Sequence, residues 1–282
     1  TCALPIFALF AGGSISKDFA PHAVKAGAVV IDNSSAFRMD PEVPLVVPEV
    51  NPQAILKHKG IIANPNCSTI IMVMALKPIY DLAKIKRVIV STYQAVSGAG
   101  KEGIDELDAQ VREHSEGREM TANILPSSSA EKHYPIAFNL IPQIDVFCDN
   151  LYTKEEMKMV NETKKIMEDY EMRITATTIR VPVYRSHSES VNIELEKEVD
   201  LGAMREALAK FPGVTVQDDP SKQEYPMPLY TSEKDDVYVG RLRRDESCEK
   251  SYNMWVVGDQ IRKGAALNTL QIAETMIKNG WI

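Results

Sequence analysis

Ile61-Ile62-Ala63-Asn64-Pro65-Asn66-Cys67-Ser68-Thr69 is the stretch on which the reading of this chain turns. A β-branched pair runs into Asn-Pro-Asn, which is turn chemistry, and an apolar, helix-compatible segment, 70–83, follows it. Cys67 therefore stands where a strand gives way to a helix. Free backbone N–H groups and the positive end of the helix dipole favour a thiolate at such a point. A thiolate at the mouth of an α/β sheet is a candidate covalent nucleophile. The alternative is an inert structural cysteine, since free Cys is among the most buried residue types.

Outward from that turn, residues 6–10 and 28–32 read as short buried strands with a helix over 16–26 between them, a βαβ pattern. Four prolines, Pro41, Pro44, Pro48 and Pro52, make 40–52 an extended connection, and 61–62 is a further strand. Residues 86–95 alternate as a strand, a glycine turn spans 98–103, and a polar helix ends near Gly117. Residues 121–150 read as loop. An amphipathic helix is predicted over 153–170, with Thr153 as N-cap and Glu156 at the capping-box position. Segments 173–184 and 189–198 are β-rich, 200–211 is a short helix, 237–242 and 254–257 are strands, and 264–279 is a closing helix.

The 282 residues suit two lobes or one large α/β unit, and such a length buries a core without disulfides. A net charge of −7 argues against nucleic acid or an anionic membrane as main partner. Anionic substrates must then be held by a few local Arg or Lys side chains. Cys2, Cys67, Cys148 and Cys248 are widely spaced, which fits neither a metal site nor a disulfide framework and suits a reducing, cytoplasmic setting. No apolar run approaches the length of a membrane span, and no signal peptide is evident.

Six motifs, in order, carry a resemblance: Asp32-Asn33-Ser34-Ser35-Ala36-Phe37-Arg38, the Cys67 stretch, Ser91-Thr92-Tyr93-Gln94-Ala95-Val96-Ser97-Gly98-Ala99-Gly100, His133-Tyr134-Pro135, Arg180-Val181-Pro182-Val183 with His187, and Lys263-Gly264-Ala265-Ala266-Leu267-Asn268. From about Ala8 to the C-terminus the chain closely resembles the bacterial aspartate-β-semialdehyde dehydrogenases. The resemblance implies NADPH-dependent reduction of L-aspartyl-4-phosphate to aspartate semialdehyde with release of phosphate, on the route to lysine, threonine and methionine. It implies an α/β fold, with a Rossmann-type cofactor domain and an α+β catalytic and dimerisation domain. The first would comprise residues 1–66, completed by a C-terminal helix over 263–282; the second, residues 67–262. A homodimer or homotetramer is implied, and no metal.

By the same resemblance Cys67 attacks the acyl phosphate, His187 is general acid/base, and Gln94 orients the acyl group. Arg180 takes the substrate α-carboxylate, Glu155 its amino group, and Lys158 and Arg38 the phosphate. Asn66 shapes the turn and the oxyanion environment. Glu155 and Lys158, three apart on one helix, are neighbours on its face, and the plainer reading is a solvated ion pair. Arg180 and His187 are separated by an odd number of residues, so a straight strand would face them apart and a turn must reorient the chain between them. Gly12, Gly13, Ser14, Ser97, Gly98, Gly100, Lys263 and Asn268 are the cofactor-side candidates. The family's opening glycine loop has no counterpart before Gly12, and there is no initiator Met, so the expectation is an N-terminally truncated chain that binds NADPH weakly and leaves a sheet edge bare. Two other readings stand beside this one: N-acetyl-γ-glutamyl-phosphate reductase, with the same Cys/His chemistry on a blocked amine, and a non-catalytic oligomerisation module.

Overall fold

The computed structural model describes residues 5–10 and 12–282; Cys2 and Ala11 lie outside the described residues. Strand β1 (Ile6–Leu9), helix α1 (Gly13–Lys25) and strand β2 (Val29–Asp32) form the expected βαβ unit, with β1 and β2 parallel. α1 starts at Gly13 rather than Ser16, because extended Gly12 serves as N-cap. Ser16 lies inside the helix, its hydroxyl donating to the buried Asp32 carboxylate at 2.7 Å. The proline-rich connection forms no strand. It touches Ala63 by a single bridge at Leu45 and closes in a 3-10 turn, Pro52–Lys57. Strand β3 (Ile61–Ala63) then adds parallel to β2, giving a three-stranded sheet of order β1-β2-β3.

Helix α2 (Cys67–Leu82) begins at the cysteine itself, not at Ile70. Every residue from Ser68 to Leu76 is buried, as expected of a helix apolar on all sides. α2 is wedged into a core shared with a second, larger sheet. That sheet is built from β4 (Ile85–Gln94), β5 (Arg173–Arg180), β6 (His187–Leu195), β7 (Val214–Val216), β8 (Val237–Arg244) and β9 (Ser251–Gly258), in the order β5-β4-β6-β9-β8-β7. β4 runs parallel to β5 and antiparallel to β6, so the sheet is mixed. β7, only three residues long, is too short to show a periodicity and escapes the sequence reading.

The remaining helices are α3 (Lys101–Ser115), α4 (Lys154–Ile166), α5 (Leu201–Lys210), the single turn α6 (Pro228–Thr231) and α7 (Leu267–Lys278). α4 carries the expected capping box: Thr153 Oγ1 accepts from Glu156 N–H and the Glu156 carboxylate accepts from Thr153 N–H. It ends at Ile166, short of Tyr170; Glu168 adopts a left-handed φ of 52° that helix geometry cannot continue. The long loop between α3 and α4 is held by two buried side chains of α3. Glu106 accepts from Asn123 and Ile124 N–H, and Gln110 accepts from Ile136 and Ala137 N–H.

The chain returns through a π-helical turn, Arg262–Ala266, that precedes α7. Ile272 and Met276 of α7 pack with Val29, Ile31 and Ile62 in the core of the small sheet. Lys263 and Asn268 anchor this return. Lys263 Nζ, 1% exposed, donates to Glu49 (2.6 Å), Asn268 (3.0 Å) and Gln271 (2.6 Å). Asn268 Nδ2 donates to Val46 O and Asn64 Oδ1. Losing one partner of a buried pair costs about 3–5 kcal/mol because the other charge is left desolvated. Lys263→Met is therefore expected to lower stability by about 3 kcal/mol in equilibrium urea unfolding, and Lys263→Met with Glu49→Gln to recover part of that loss.

Candidate active site

The large sheet brings the predicted residues to one edge. Gln94 ends β4 and is paired in register with Arg180, the last residue of parallel β5. On the other side of β4, antiparallel β6 starts at His187, with Tyr93 opposite Ser188. The reversal needed between Arg180 and His187 is made by the loop joining β5 to β6, where Ser186 takes a left-handed φ of 71°. His187 is thus the first residue of a strand, not a loop residue, and is fully buried. Arg180 is held a second time by the α3–α4 loop, exchanging both backbone hydrogen bonds with Ile141.

Above these two residues passes the turn 96–100. A Cβ on Gly98 would lie 2.7 Å from Arg180 Nη1 and 3.3 Å from His187 Cε1, so any side chain there would displace the Arg180 guanidinium. Arg180 Nη1 donates to Ala95 O at 2.7 Å, and Ala95 N–H donates to His187 Nδ1 at 3.1 Å. An Nδ1 that accepts leaves the ring proton on Nε2, and Nε2 is buried with no partner among the described residues. Burial, then the nearby Arg180 charge, hold His187 well below the usual imidazole range. The ring is therefore neutral and offers an Nε2–H donor.

Cys67 opens α2, opposite this edge. Asn66, its N-cap, makes no capping bond with its side chain. Its side chain and backbone instead donate to two carboxylates of α4. Nδ2 donates to Glu155 Oε1 at 3.0 Å, and N–H donates to Glu162 Oε2 at 2.6 Å. Gln94 Nε2 donates to Glu155 Oε1 at 3.2 Å and also to Ser68 Oγ. Lys158 Nζ reaches Glu155 at 3.2 Å and Asp145 at 3.0 Å. Glu156 is occupied by the capping box and by Thr178 N–H, which leaves Glu155 as the α4 carboxylate facing the site. Arg38 donates to Glu162 at 3.2 Å and to Asn33 O at 2.9 Å. Gly98, Asp145, Glu155, Lys158 and Arg180 line one cleft, walled by Ile124, Pro126, Ser127 and Ser128.

The thiol departs from the sequence expectation of a ready thiolate. Burial, and then Glu155, push Cys67 up to about 12, against the opposing pull of Arg38, the Ser68 N–H and Arg180. The helix N-terminus is present, but desolvation outweighs it. Sγ lies 3.8 Å from Asn66 Oδ1, the contact of a protonated thiol. Gly264 of the C-terminal turn closes over it; a Cβ there would come within 2.8 Å of Cys67 Cβ.

On the cofactor side, Gly12, Gly13 and Ser14 stand at the N-terminus of α1, at the carboxyl ends of parallel β1 and β2. That helix start has no side-chain cap and no acidic residue in its first turn. A Cβ on Gly12 would meet nothing within 4 Å among the described residues, so there is open space beside this helix start. This suits a dinucleotide phosphate. Ser97, Gly98 and Gly100 lie on the turn over Arg180 and His187, with Ser97 Oγ accepting from Gln260 Nε2. The polar groups of Lys263 and Asn268, the other two cofactor-side candidates, are engaged in the internal ties described above.

Sequence reasoning missed Glu162, Asp145 and Glu189. Glu189 is two residues beyond His187 on the same strand, fully buried, with neither carboxylate oxygen partnered. Burial, then Glu155, push it well above the usual carboxylate range. Its one signal was a Glu in the inward alternation of β6. Among the described residues there is no group of three or more His, Cys, Asp or Glu able to hold a metal, and no helix long and apolar enough to cross a membrane.

Two family models match: the semialdehyde dehydrogenase NAD binding domain over residues 2–58, and the semialdehyde dehydrogenase dimerisation domain over residues 76–263. The aspartate-semialdehyde dehydrogenase of Aquifex aeolicus is 57% identical over 278 residues, covering 98% of this chain and 80% of the relative. That of Bacillus subtilis is 54% identical over 273 residues, covering 96% and 79%. The crystal structure of aspartate semialdehyde dehydrogenase II from Vibrio cholerae superposes with a TM-score of 0.92 at 47% identity, covering 97% of this chain and 80% of that one. With the Cys67 turn set against the Gln94, Arg180 and His187 edge, these likenesses make the chain a member of the aspartate-semialdehyde dehydrogenase family.

Proposed function

We propose that this chain reduces L-aspartyl-4-phosphate to L-aspartate 4-semialdehyde, releasing phosphate, through a thioester on Cys67. The observation that carries the proposal is the meeting of the Cys67 turn with Gln94 and Glu155, beside Arg180 and His187. The Cys67 sulfur attacks the acyl carbon, the carbon–oxygen bond to the phosphate breaks, and the departing phosphate carries away the thiol proton, since His187, with Nδ1 occupied and a proton on Nε2, is not placed to accept it. The His187 Nε2–H is the donor available to the negative charge that collects on the acyl oxygen. Arg180, whose planar fork fits a carboxylate, takes the α-carboxylate. Glu155 takes the amino group, and Lys158 and Arg38 the phosphoryl oxygens. Gln94 and Asn66 fix the acyl group and the turn. NADP is the cofactor, and when bound in its reduced form it supplies the hydride that reduces the acyl group. Gly12, Gly13, Ser14, Ser97, Gly98 and Gly100 are the residues that would hold it.

A carboxylate at Glu155 suits a charged ammonium, and a blocked amine offers it none. This favours the aspartyl over the N-acetylglutamyl substrate. The division into residues 1–66 with 263–282, and 67–262, belongs to the proposal. So do a homodimer or homotetramer formed through the dimerisation domain, and a cytoplasmic location.

Glu155 gives the substrate a hand in activating its own nucleophile. Its charge raises the thiol, and an ammonium bound to it cancels that charge.

Three outcomes are expected. Cys67→Ser should lose phosphate-dependent NADP+ reduction by aspartate semialdehyde by at least about 10³-fold, with an unchanged melting temperature; activity near wild type would refute the thioester route. In the unliganded protein, alkylation of Cys67 by iodoacetamide should still be climbing above about pH 9. Glu155→Gln should move the Cys67 profile to lower pH, because a charge that disfavours the thiolate is gone, while raising the KM for aspartate semialdehyde about tenfold or more.

A further inference from the structure

Arg38 is not a free cation waiting for phosphate. Its Nη1 is tied to Glu162, whose side chain is 2% exposed, and its Nη2 to Asn33 O. The other oxygen of the same carboxylate accepts the Asn66 N–H at 2.6 Å. Each Glu162 oxygen thus faces a donor, the arrangement that suits an ionised carboxylate. Glu162 stands seven residues beyond Glu155 on α4, which places both on one face of the helix. One buried carboxylate therefore spans from the peptide just before the nucleophile to the guanidinium proposed to hold the phosphoryl group.

We infer that Glu162 is a positioning residue for the reaction, fixing the Asn66–Cys67 turn and the Arg38 guanidinium in one frame and holding the charge of Arg38 in balance beside the thiol. The assignment of Arg38 to phosphate rests on the reading above; the tie to the nucleophile turn does not.

The charges around this pair are few. Glu162 faces Arg38 from the segment after β2, with Glu155 and Lys165 along α4. On balance Glu162 is raised above the usual carboxylate range, by burial first and also by Glu155, against the pull of Arg38 and the Asn66 N–H. Cys67 feels Glu155 from α4, Arg38, and Arg180 from β5; neutral His187 on β6 adds no charge. An amide at 162 keeps the shape but removes one negative charge and turns one acceptor into a donor. Arg38, still held by Asn33 O, is then uncompensated and favours the thiolate more strongly.

The test is site-resolved alkylation of Cys67 with iodoacetamide, read by peptide mass spectrometry across pH, beside steady-state kinetics with aspartate semialdehyde, phosphate and NADP+. Glu162→Gln should shift the Cys67 alkylation midpoint down by about one pH unit. Its kcat should fall by about tenfold, because the attacking and phosphoryl-binding groups no longer share a frame. In an Arg38→Met background the buried carboxyl at 162 loses the cation that keeps it ionised, so the same change should remove no charge and shift the midpoint little. Glu162→Asp keeps the charge and so the wild-type midpoint, but is too short to span both donors; it should raise the KM for phosphate and leave that for aspartate semialdehyde alone. An unmoved midpoint in Glu162→Gln, or a shift that persists without Arg38, overturns the inference. If Glu162→Gln does not fold, Glu162→Asp decides it, and wild-type kcat and phosphate KM there overturn it. The alkylation arm needs no turnover, so failure of this inference stays distinct from failure of the proposed activity.

Discussion

The site hangs on the clamping of one short turn by one helix. Asn66 gives its side-chain amide to Glu155 and its backbone N–H to Glu162, two turns apart on α4. α4 is itself fixed by its capping box and by the bond from Thr178 N–H to Glu156, which joins it to β5. β5 ends in Arg180 and pairs with β4, which ends in Gln94. Nucleophile turn, helix and sheet edge are therefore one hydrogen-bonded circuit. A displacement of α4 moves the turn, Glu155 with Lys158, and the Arg38 guanidinium together. Catalytic geometry tolerates little such movement, since an error of about 1 Å costs on the order of a hundredfold in rate.

A dry clamp imposes an electrostatic cost, and the sulfur shows it. Burial and Glu155 push the thiol up to about 12, although two guanidiniums and a helix N-terminus oppose them. The resting protein thus holds a protonated cysteine. In the proposed reaction the substrate carries an ammonium that would neutralise Glu155, so the nucleophile would be strongest when there is something to attack. The buried imidazole fits this economy. With Nδ1 held by Ala95 N–H, His187 stays neutral and adds no cation that would compete with Arg180 for the substrate carboxylate.

Much of this was legible in the sequence wherever the signal was local. Asn-Pro-Asn-Cys before an apolar run marked the turn and the helix; Thr153 with Glu156 marked the start of α4; Glu155 and Lys158 were read as neighbours from spacing alone. What stayed hidden was set by partners far apart in the chain. Glu162 accepts from a residue 96 positions away, and nothing in the run around it sets it apart from an exposed helical glutamate. Lys263 and Asn268 were read towards the cofactor because they close a recognisable motif, but their partners, Glu49, Val46 and Asn64, lie more than 200 positions earlier. The low thiol pKa expected of a helix N-terminus failed for the same reason. Desolvation comes from the packing of α2 into the core of the large sheet and from the close approach of Gly264 to the Cys67 Cβ, neither of which is written in the turn itself.

The buried acids of the site separate by how they are met. Glu155 is bound by Lys158, Asn66 and Gln94, and is held below the usual carboxylate range despite full burial. Glu189 has neither oxygen partnered and is driven well above it. Two carboxylates near one another in a dry interior do not both ionise cheaply, so the partnered one takes the charge and the other keeps its proton. Glu189 is then a neutral, proton-bearing group two residues along the strand from His187. If Glu155 is met by a substrate ammonium, the repulsion that helps keep Glu189 protonated weakens as well. Loading the cleft therefore shifts the proton affinity of the thiol and of a carboxyl beneath it in the same direction, and the resting charge pattern is one that the substrate completes.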